Sequence, residues 1–90
     1  MSASFKLHIY AADRVVYEGD CVSLTLPISD GQLGVLASRA PLVAAVVPGK
    51  LKFRIKDGEA MTETAVGHGI ARFARNDALV LLESVDAPQP

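Results

Sequence analysis

The sequence predicts an all-β fold, a small antiparallel β-sandwich of about 8–10 short strands. Three observations predict it. Apolar and polar residues alternate with a period of two in several segments, which is the pattern of strands with one buried face. Turn signals containing Gly, Asn or Asp recur about every 8–12 residues, a spacing typical of sandwiches and barrels. No segment combines a sustained helical stripe with capping residues.

The first alternating segments lie in the N-terminal third of the chain. Phe5, Leu7 and Ile9 alternate with polar or aromatic residues, so we expect these three side chains to face the core. A second strand is predicted where Val22, Leu24, Leu26 and Ile28 alternate with Cys21, Ser23, Thr25 and Pro27.

The segment from 29 to 42 has specific backbone requirements and no reactive side-chain pair. Asp30 and Gly31 predict a turn. Gly34 predicts a place where another segment approaches closely. Ala40, which precedes Pro41, is expected to be extended. These requirements favour a shape for docking over a site for chemistry.

Asp57 and Gly58 predict a two-residue type I′ hairpin turn. That turn sets Lys56 opposite Glu59 and Lys52 opposite Glu63, so acidic neighbours balance a basic row made of Lys50, Lys52, Arg54 and Lys56. We therefore interpret the row as a solvated strand face and expect no nucleic-acid partner. The same register sets Arg54 opposite Met61 on this solvated face. On the other face it pairs Ile55 with Ala60, Phe53 with Thr62 and Leu51 with Thr64.

The C-terminal part predicts a bend and a last strand. Gly67 to Gly69 favours a bend where another backbone comes close. The run from Ala78 to Leu82 is apolar throughout and predicts a strand covered on both faces. The sandwich domain is predicted to occupy residues 1–85 and a short flexible tail residues 86–90, with no C-terminal helical hairpin.

Composition limits the possible functions. Ninety residues make one small domain, half apolar, with nine basic and ten acidic residues, so no overall field attracts nucleic acid or an anionic membrane. We find no signal-peptide pattern and no apolar run near the roughly 20 residues of a spanning helix. Any membrane contact is therefore expected to come through a partner.

Candidate chemical groups do not assemble into a site. His8 and His68 have no partners at metal-ligand spacing, and we expect surface histidines and no metal. Cys21 is a single cysteine next to Asp20, with no base to activate it. Asp13, Glu18 and Asp20 are interpreted as turn residues on exposed loops. We therefore predict no catalytic residues, no nucleotide-binding residues and no cofactor.

An ordered set of segments nevertheless resembles a known family. Its parts are residues 5–9, residues 13–19, Ser29 to Gly34, Ala40 to Leu42, Pro48 to Leu51, Gly67 and Gly69 before Ile70, and the strand from Ala78 to Glu83. Together they resemble the N-terminal β-sandwich of the epsilon subunit of F-type ATP synthases, the counterpart of mitochondrial delta, over residues 4–85. The family usually has Gly-His-Ala-Pro where this chain has Ser38, Arg39, Ala40 and Pro41. Arg39 thus places a fixed charge where the family has histidine.

The resemblance implies a non-catalytic rotor subunit of the central stalk, docking the gamma subunit to the c-ring and coupling proton translocation to ATP synthesis. It implies that Asp30, Gly31 and Gln32 face the c-ring, and that Arg39, Ala40, Pro41 and Leu42 face gamma. It also implies a peripheral location on the cytoplasmic face of a bacterial energy-transducing membrane. The alternative is a free-standing β-sandwich that binds a small ligand or peptide. A small hydrolase is disfavoured because no nucleophile–base pair is present.

Overall fold

The computed structural model describes residues 3–86, in which nine strands form two sheets packed around one core. This confirms the predicted all-β sandwich. Within that range no helix has the length and apolar character to cross a bilayer. In chain order the strands are β1 (Phe5–Ala11), β2 (Arg14–Cys21), β3 (Ser23–Ile28), β4 (Gly31–Val35), β5 (Leu42–Val46), β6 (Gly49–Arg54), β7 (Thr62–Val66), β8 (Gly69–Ala74) and β9 (Asp77–Leu82).

The two sheets have different sizes and one parallel contact. The larger sheet has the strand order β2-β1-β9-β8-β5, and the smaller has the order β4-β3-β6-β7. All pairs are antiparallel except β1 with β9. A wholly antiparallel arrangement was expected. The first and last strands can lie parallel because the rest of the domain connects them, so no tight hairpin fixes their relative direction.

Alternation buries one face of the strands largely as predicted. Phe5, Leu7 and Ile9 are all buried, and the Phe5 ring meets Phe73 edge-on with 5.5 Å between centroids. Each such side chain contributes about 1.5–3 kcal/mol through burial. In β3, Leu24 and Leu26 are buried as predicted, whereas Ile28 at the end of the strand is only half-buried.

Pro27 departs from the alternation predicted for β3, because it is buried whereas Ser23 and Thr25 on the same face of the strand are half-buried. Val47 donates its backbone N–H to the Pro27 carbonyl at 3.1 Å. A Cβ atom on Gly49 would lie 2.9 Å from the Pro27 Cβ. The turn between β5 and β6 therefore covers the proline, a contact between distant parts of the chain that period-two reasoning does not detect.

Strand β9 corrects the expectation that both of its faces are covered. Ala78, Val80 and Leu82 are buried, whereas Leu79 is half-buried and Leu81 is 44% exposed. Among residues 3–86 no layer lies over this second face. The uninterrupted apolar run is therefore explained by one core face and one apolar surface face.

The β6–β7 hairpin has the predicted register and a different turn. Lys52 lies opposite Glu63, as expected, and Lys56 Nζ approaches Glu59 Oε2 to 3.6 Å. The type I′ assignment is wrong, because it requires positive φ at both central residues and only Gly58 has it, with φ 84°. Strand β6 also ends at Arg54, and β7 begins only at Thr62. The strand ladder consequently stops before the predicted Arg54–Met61 and Ile55–Ala60 pairs, and Ile55 is 36% exposed.

The strand directions give the domain two ends. The β3–β4 turn at Asp30 and Gly31 lies at the end that we call the tip end, where Val47 contacts Pro27. The connection from 36 to 41 lies at the opposite end of β4, which we call the loop end. There Ser38 donates its backbone N–H to Asn76 Oδ1 at 2.6 Å, so the β8–β9 turn belongs to the same end.

The described chain ends beside β7. Val85 forms an isolated bridge with Val66, and Asp86 donates its backbone N–H to the Ala65 carbonyl at 3.0 Å. Of the predicted tail, residues 87–90 lie outside the described residues, and the boundary after residue 85 stays a prediction.

Candidate docking surface

The face of the five-stranded sheet that points away from the core carries a continuous apolar row. Strand register places one residue from each strand side by side, and the five are joined by four cross-strand pairs. Because neighbouring strands lie about 4.8 Å apart, the row is about 19 Å long. This apolar row consists of Ala45, Ile70, Leu81, Tyr10 and Val15.

A second row runs parallel to the first on the same face and contains both apolar and charged residues. Register aligns Val43 with Arg72, Leu79, His8 and Glu18 in that order. We call this the mixed row, and the two rows together the outer face. Between them lies an open depression of about 220 Å³. It is lined by Val43, Ile70, Arg72, Leu79 and Leu81.

Three aliphatic side chains that line this depression are unusually exposed for their size. Val43 is 67% exposed, Ile70 49% and Leu81 44%. Scattered exposed apolar residues are ordinary, but a contiguous group rimmed by polar residues is typical of a contact with another protein. The outer face therefore has the composition of a docking surface, with an aliphatic half on β5, β8 and β9, which also carries Arg72, and a charged border on β1 and β2.

The charged border is organised by hydrogen bonds across β1 and β2. Lys6 Nζ donates to Asp20 Oδ1 at 2.6 Å, and this bond is the main cause that raises the pKa of Lys6. The Tyr10 hydroxyl donates to Glu18 Oε2. That bond, followed by the bond with His8, lowers the pKa of Glu18. The Tyr10–Glu18 bond is also the main cause that raises the pKa of Tyr10.

This arrangement corrects the interpretation of the acidic residues as loop residues. Only Asp13 lies in a turn, whereas Glu18 and Asp20 belong to β2. Each is bonded to a side chain of the neighbouring strand. The sequence alternation in β2 is irregular because the β1–β2 ladder contains a bulge between Ile9 and Tyr10, and this irregularity hid the strand.

The residues expected to face a c-ring lie at the tip end, where Asp30 belongs to the β3–β4 turn and Gly31 and Gln32 begin β4. Asp30, Gly31 and Gln32 are all exposed. Gly31 has a φ of 125°, a conformation that favours glycine. The predicted turn at Asp30 and Gly31 is therefore confirmed, whereas its contact with a c-ring stays a prediction.

The residues expected to face gamma lie at the loop end. Arg39, Ala40 and Pro41 are exposed, but Leu42 begins β5 and packs partly against the core. Its outward neighbour Val43 belongs to the outer face. The two predicted contact groups thus lie at opposite ends of β4, whose five residues span about 15 Å.

Two glycine predictions have opposite outcomes. A Cβ on Gly69 would lie 2.2 Å from the Leu81 carbonyl oxygen, so the predicted close approach at the bend from 67 to 69 is confirmed. The corresponding prediction for Gly34 is wrong, because a Cβ there would meet no atom within 4 Å. The difference arises because Gly69 starts a strand in the middle of a sheet, whereas Gly34 lies on the edge strand β4.

The remaining candidate groups do not form a reactive site. Within residues 3–86 no cluster of three His, Cys, Asp or Glu side chains is arranged to hold a metal ion. Cys21 ends β2, instead of starting a strand as expected, and is fully buried. Burial raises the pKa of its thiol, which donates to the Ser23 carbonyl at 3.0 Å.

The outer face was not predicted from the sequence. The residues of its apolar row come from five strands, and only their register brings them together. One signal was available: the apolar run from Ala78 to Leu82 supplies more apolar residues than a strand with one core face needs. The exposed members Val43 and Ile70 have no such signal in their own segments.

Comparison with known protein families gives a match to nearly the whole chain. The family model for the β-sandwich domain of the ATP synthase delta/epsilon chain matches residues 4–88. A protein of Ruminococcus albus named ATP synthase epsilon chain is 32% identical over 82 residues, which cover 91% of this chain and 60% of that protein. One of the same name from Dichelobacter nodosus is 36% identical over 59 residues, covering 66% of this chain and 41% of that protein.

Solved structures share the fold. A chain in the mitochondrial ATP synthase of Euglena gracilis, an assembly of OSCP, F1 and c-ring, superposes with a TM-score of 0.86 at 19% identity, covering 98% of this chain and 55% of that chain. A chain in the central stalk and c-ring of the Tetrahymena thermophila mitochondrial ATP synthase has a TM-score of 0.77 at 12% identity, covering 94% and 67%. The present chain spans about 60% or less of the length of the two relatives named above.

Proposed function

Because the chain belongs to the family of ATP synthase delta/epsilon chain β-sandwich domains, we propose that it serves as an epsilon-type part of the central stalk of an F-type ATP synthase. In this role it performs no bond chemistry. It holds the gamma subunit to the c-ring, so that rotation driven by proton flow reaches the catalytic sites of other subunits. Its location is then peripheral, on the cytoplasmic face of a bacterial energy-transducing membrane, through the complex.

The observation that carries this proposal is the outer face. Its aliphatic half is exposed in the isolated domain, and burial of such a surface supplies the main driving force for association. We assign this face, together with the exposed residues Arg39 to Pro41, to the gamma contact. Arg39 lies at the loop end, where it adds a fixed charge at the border of the interface.

The c-ring contact is assigned to the β3–β4 turn at Asp30, Gly31 and Gln32. Support for this assignment comes from its position at the tip end, at the opposite end of β4 from the exposed residues Arg39 to Pro41. A subunit that transmits torque needs two separate attachments on a stiff body. Two sheets packed on a shared core provide that stiffness, because their strands cannot shear without breaking the interdigitated core.

The free-standing ligand-binding module is the less favoured function. The depression on the outer face, about 220 Å³, is smaller than the roughly 300–1,000 Å³ of ordinary small-molecule pockets. It is also open, so a ligand would remain largely in solvent. Side chains of a docked protein fit such a shallow site better.

Reconstitution of the assembly with variant subunits tests the proposal. Ile70→Glu places a charge in the aliphatic half of the outer face, and we expect it to weaken gamma binding at least about tenfold. Ile55→Glu is the control, because Ile55 is comparably exposed but lies beyond the smaller sheet. Equal gamma affinity of the two folded variants would contradict the gamma assignment.

When the assembly is reconstituted into lipid vesicles, Gln32→Lys is expected to keep gamma bound and to lower ATP-driven proton pumping, because it changes only the tip end. Normal pumping by this variant would contradict the c-ring assignment without affecting the gamma assignment.

A further inference from the structure

A histidine on the outer face lies between two carboxylates that belong to different strands. His8 is in β1, Glu18 in β2 and Asp77 in β9. The His8 Nδ1 atom is 3.0 Å from Glu18 Oε2, and its Nε2 atom is 3.1 Å from Asp77 Oδ1. The imidazole thus connects three adjacent strands of the five-stranded sheet.

Hydrogen-bond donors and acceptors determine which form of the ring fits this geometry. An ionised carboxylate only accepts hydrogen bonds, whereas a neutral imidazole has a single N–H donor. Two ring nitrogens that both approach carboxylates must both donate, which only the imidazolium ion can do. Glu18 is kept in its accepting form because the Tyr10 hydroxyl and His8 lower its pKa.

The other charged groups around His8 already have defined places. On β1, Lys6 is bonded to Asp20 of β2, and Tyr10 donates to Glu18, with its hydroxyl 3.4 Å from His8 Nδ1. On β8, Arg72 lies in the mixed row beyond Leu79. The groups that face the imidazole from β2 and β9 are therefore acidic.

We propose that His8 is a pH-responsive tie, which joins β2, β1 and β9 when its ring is an imidazolium and releases one carboxylate when the ring loses a proton. The formal charge of His8, Glu18 and Asp77 together is then −1 in the tied form and −2 in the released form. This change takes place beside Leu79, next to the aliphatic half of the outer face. The tie is a property of the isolated domain and does not depend on the proposed function.

The direction of the pH effect follows from the bonding. The tie stabilises the folded state only while the ring is protonated, so its contribution is present at the acid end of the range and is lost as pH rises. The relevant range is from about pH 5 to about pH 8, where imidazoles ordinarily change charge.

Urea unfolding of the wild type, His8→Gln and His68→Gln at several pH values in that range tests the tie. His68 is an exposed histidine of the turn between β7 and β8 and serves as the control. At about pH 5.5 the unfolding constant of His8→Gln is expected to exceed that of the wild type about two- to fivefold, and at about pH 8 the two should converge. A ratio that is independent of pH, or that grows as pH rises, overturns the proposal.

Nuclear magnetic resonance of the ring nitrogens gives a second readout that does not depend on stability. We expect both His8 nitrogens to be protonated in the tied form. In Glu18→Gln and in Asp77→Asn, the His8 ring nitrogen that loses its carboxylate partner should show a changed N–H signal, while the ring signals of His68 should be unaffected. If neither variant changes the His8 ring-nitrogen signals, the carboxylates do not hold the ring and the proposal fails.

Discussion

At the scale of single residues, the loop end is held by backbone conformations that are unusual for the residues that adopt them. Ser38, Arg75 and Asn76 have φ values of 67°, 54° and 58°. Positive φ at both Arg75 and Asn76 is the requirement of a type I′ turn, and this turn connects β8 to β9. The Ser38 N–H bonds to the Asn76 side chain, so the turn also fixes the connection between β4 and β5.

Ser38→Gly is expected to stabilise the domain by about 0.5–1 kcal/mol. Glycine adopts positive φ without the clash that a Cβ causes, and this gain exceeds its larger loss of backbone entropy. The substitution keeps the backbone N–H that bonds Asn76. Urea unfolding measures the difference.

The control for this change is Ser29→Gly, because Ser29 is an exposed serine whose φ is not positive. It should be neutral or slightly destabilising. If Ser38→Gly lowers stability as much as Ser29→Gly does, the left-handed conformation of Ser38 is not a strain.

Whether a contact of a single residue can be predicted from the sequence depends on how far apart its partners lie in the chain. Asn76 and Asp77 are both residue types that favour turns, but the turn ends at Asn76, because Asp77 already belongs to β9. Local turn chemistry indicates that a turn exists. It does not show that the Asn76 side chain captures Ser38, since the two residues are distant in the chain.

At the scale of elements, the β6–β7 hairpin was the most predictable part of the domain. Its register follows from centring the pairs on Asp57 and Gly58, and Lys52 does lie opposite Glu63. The turn type did not follow, because Asp-Gly is compatible with several turns and the ladder ends before the turn. Strand β9 was predicted as a strand, but its second face was misassigned, since an apolar run does not reveal what covers it.

Strand β8 begins where the sheet has no room for a side chain. Gly69→Ala is expected to destabilise the domain by about 1–3 kcal/mol, because its Cβ would collide with the Leu81 carbonyl and must push β9 away. Gly34→Ala is the matched substitution on β4, where a Cβ meets nothing within 4 Å. It should be neutral or stabilise by up to about 1 kcal/mol. Thermal and urea unfolding measure the change in the free energy of unfolding for each variant. Equal changes in the two variants would contradict the close approach at Gly69.

At the scale of the whole molecule, the outer face exists only because five strands from distant parts of the chain lie in one register. Tyr10 and Val15 come from the N-terminal hairpin, Ala45 from the middle, and Ile70 and Leu81 from the C-terminal strands. Each of these residues alone is an unremarkable apolar residue at a strand position. Sequence reasoning predicted the sandwich from local periodicity, but it had no means of placing β1 between β2 and β9.

The outer face combines an aliphatic surface for association with a neighbouring group of ionisable side chains. Its aliphatic half provides the area for association, whereas His8, Glu18 and Asp77 make the neighbouring border responsive to pH. The two features share the mixed row, where Leu79 lies beside His8. A partner that covers the aliphatic half would therefore end close to groups whose charge depends on pH.

The central claim, that the outer face is the gamma-docking surface, is tested most directly by methyl nuclear magnetic resonance of the domain titrated with the gamma subunit. The methyl groups of Val43, Ile70, Leu79 and Leu81 are predicted to shift or broaden together and to become protected from a soluble paramagnetic probe. The Ile55 methyl groups, beyond the other sheet, should remain accessible. Binding of gamma that leaves the four outer-face residues accessible would contradict the claim.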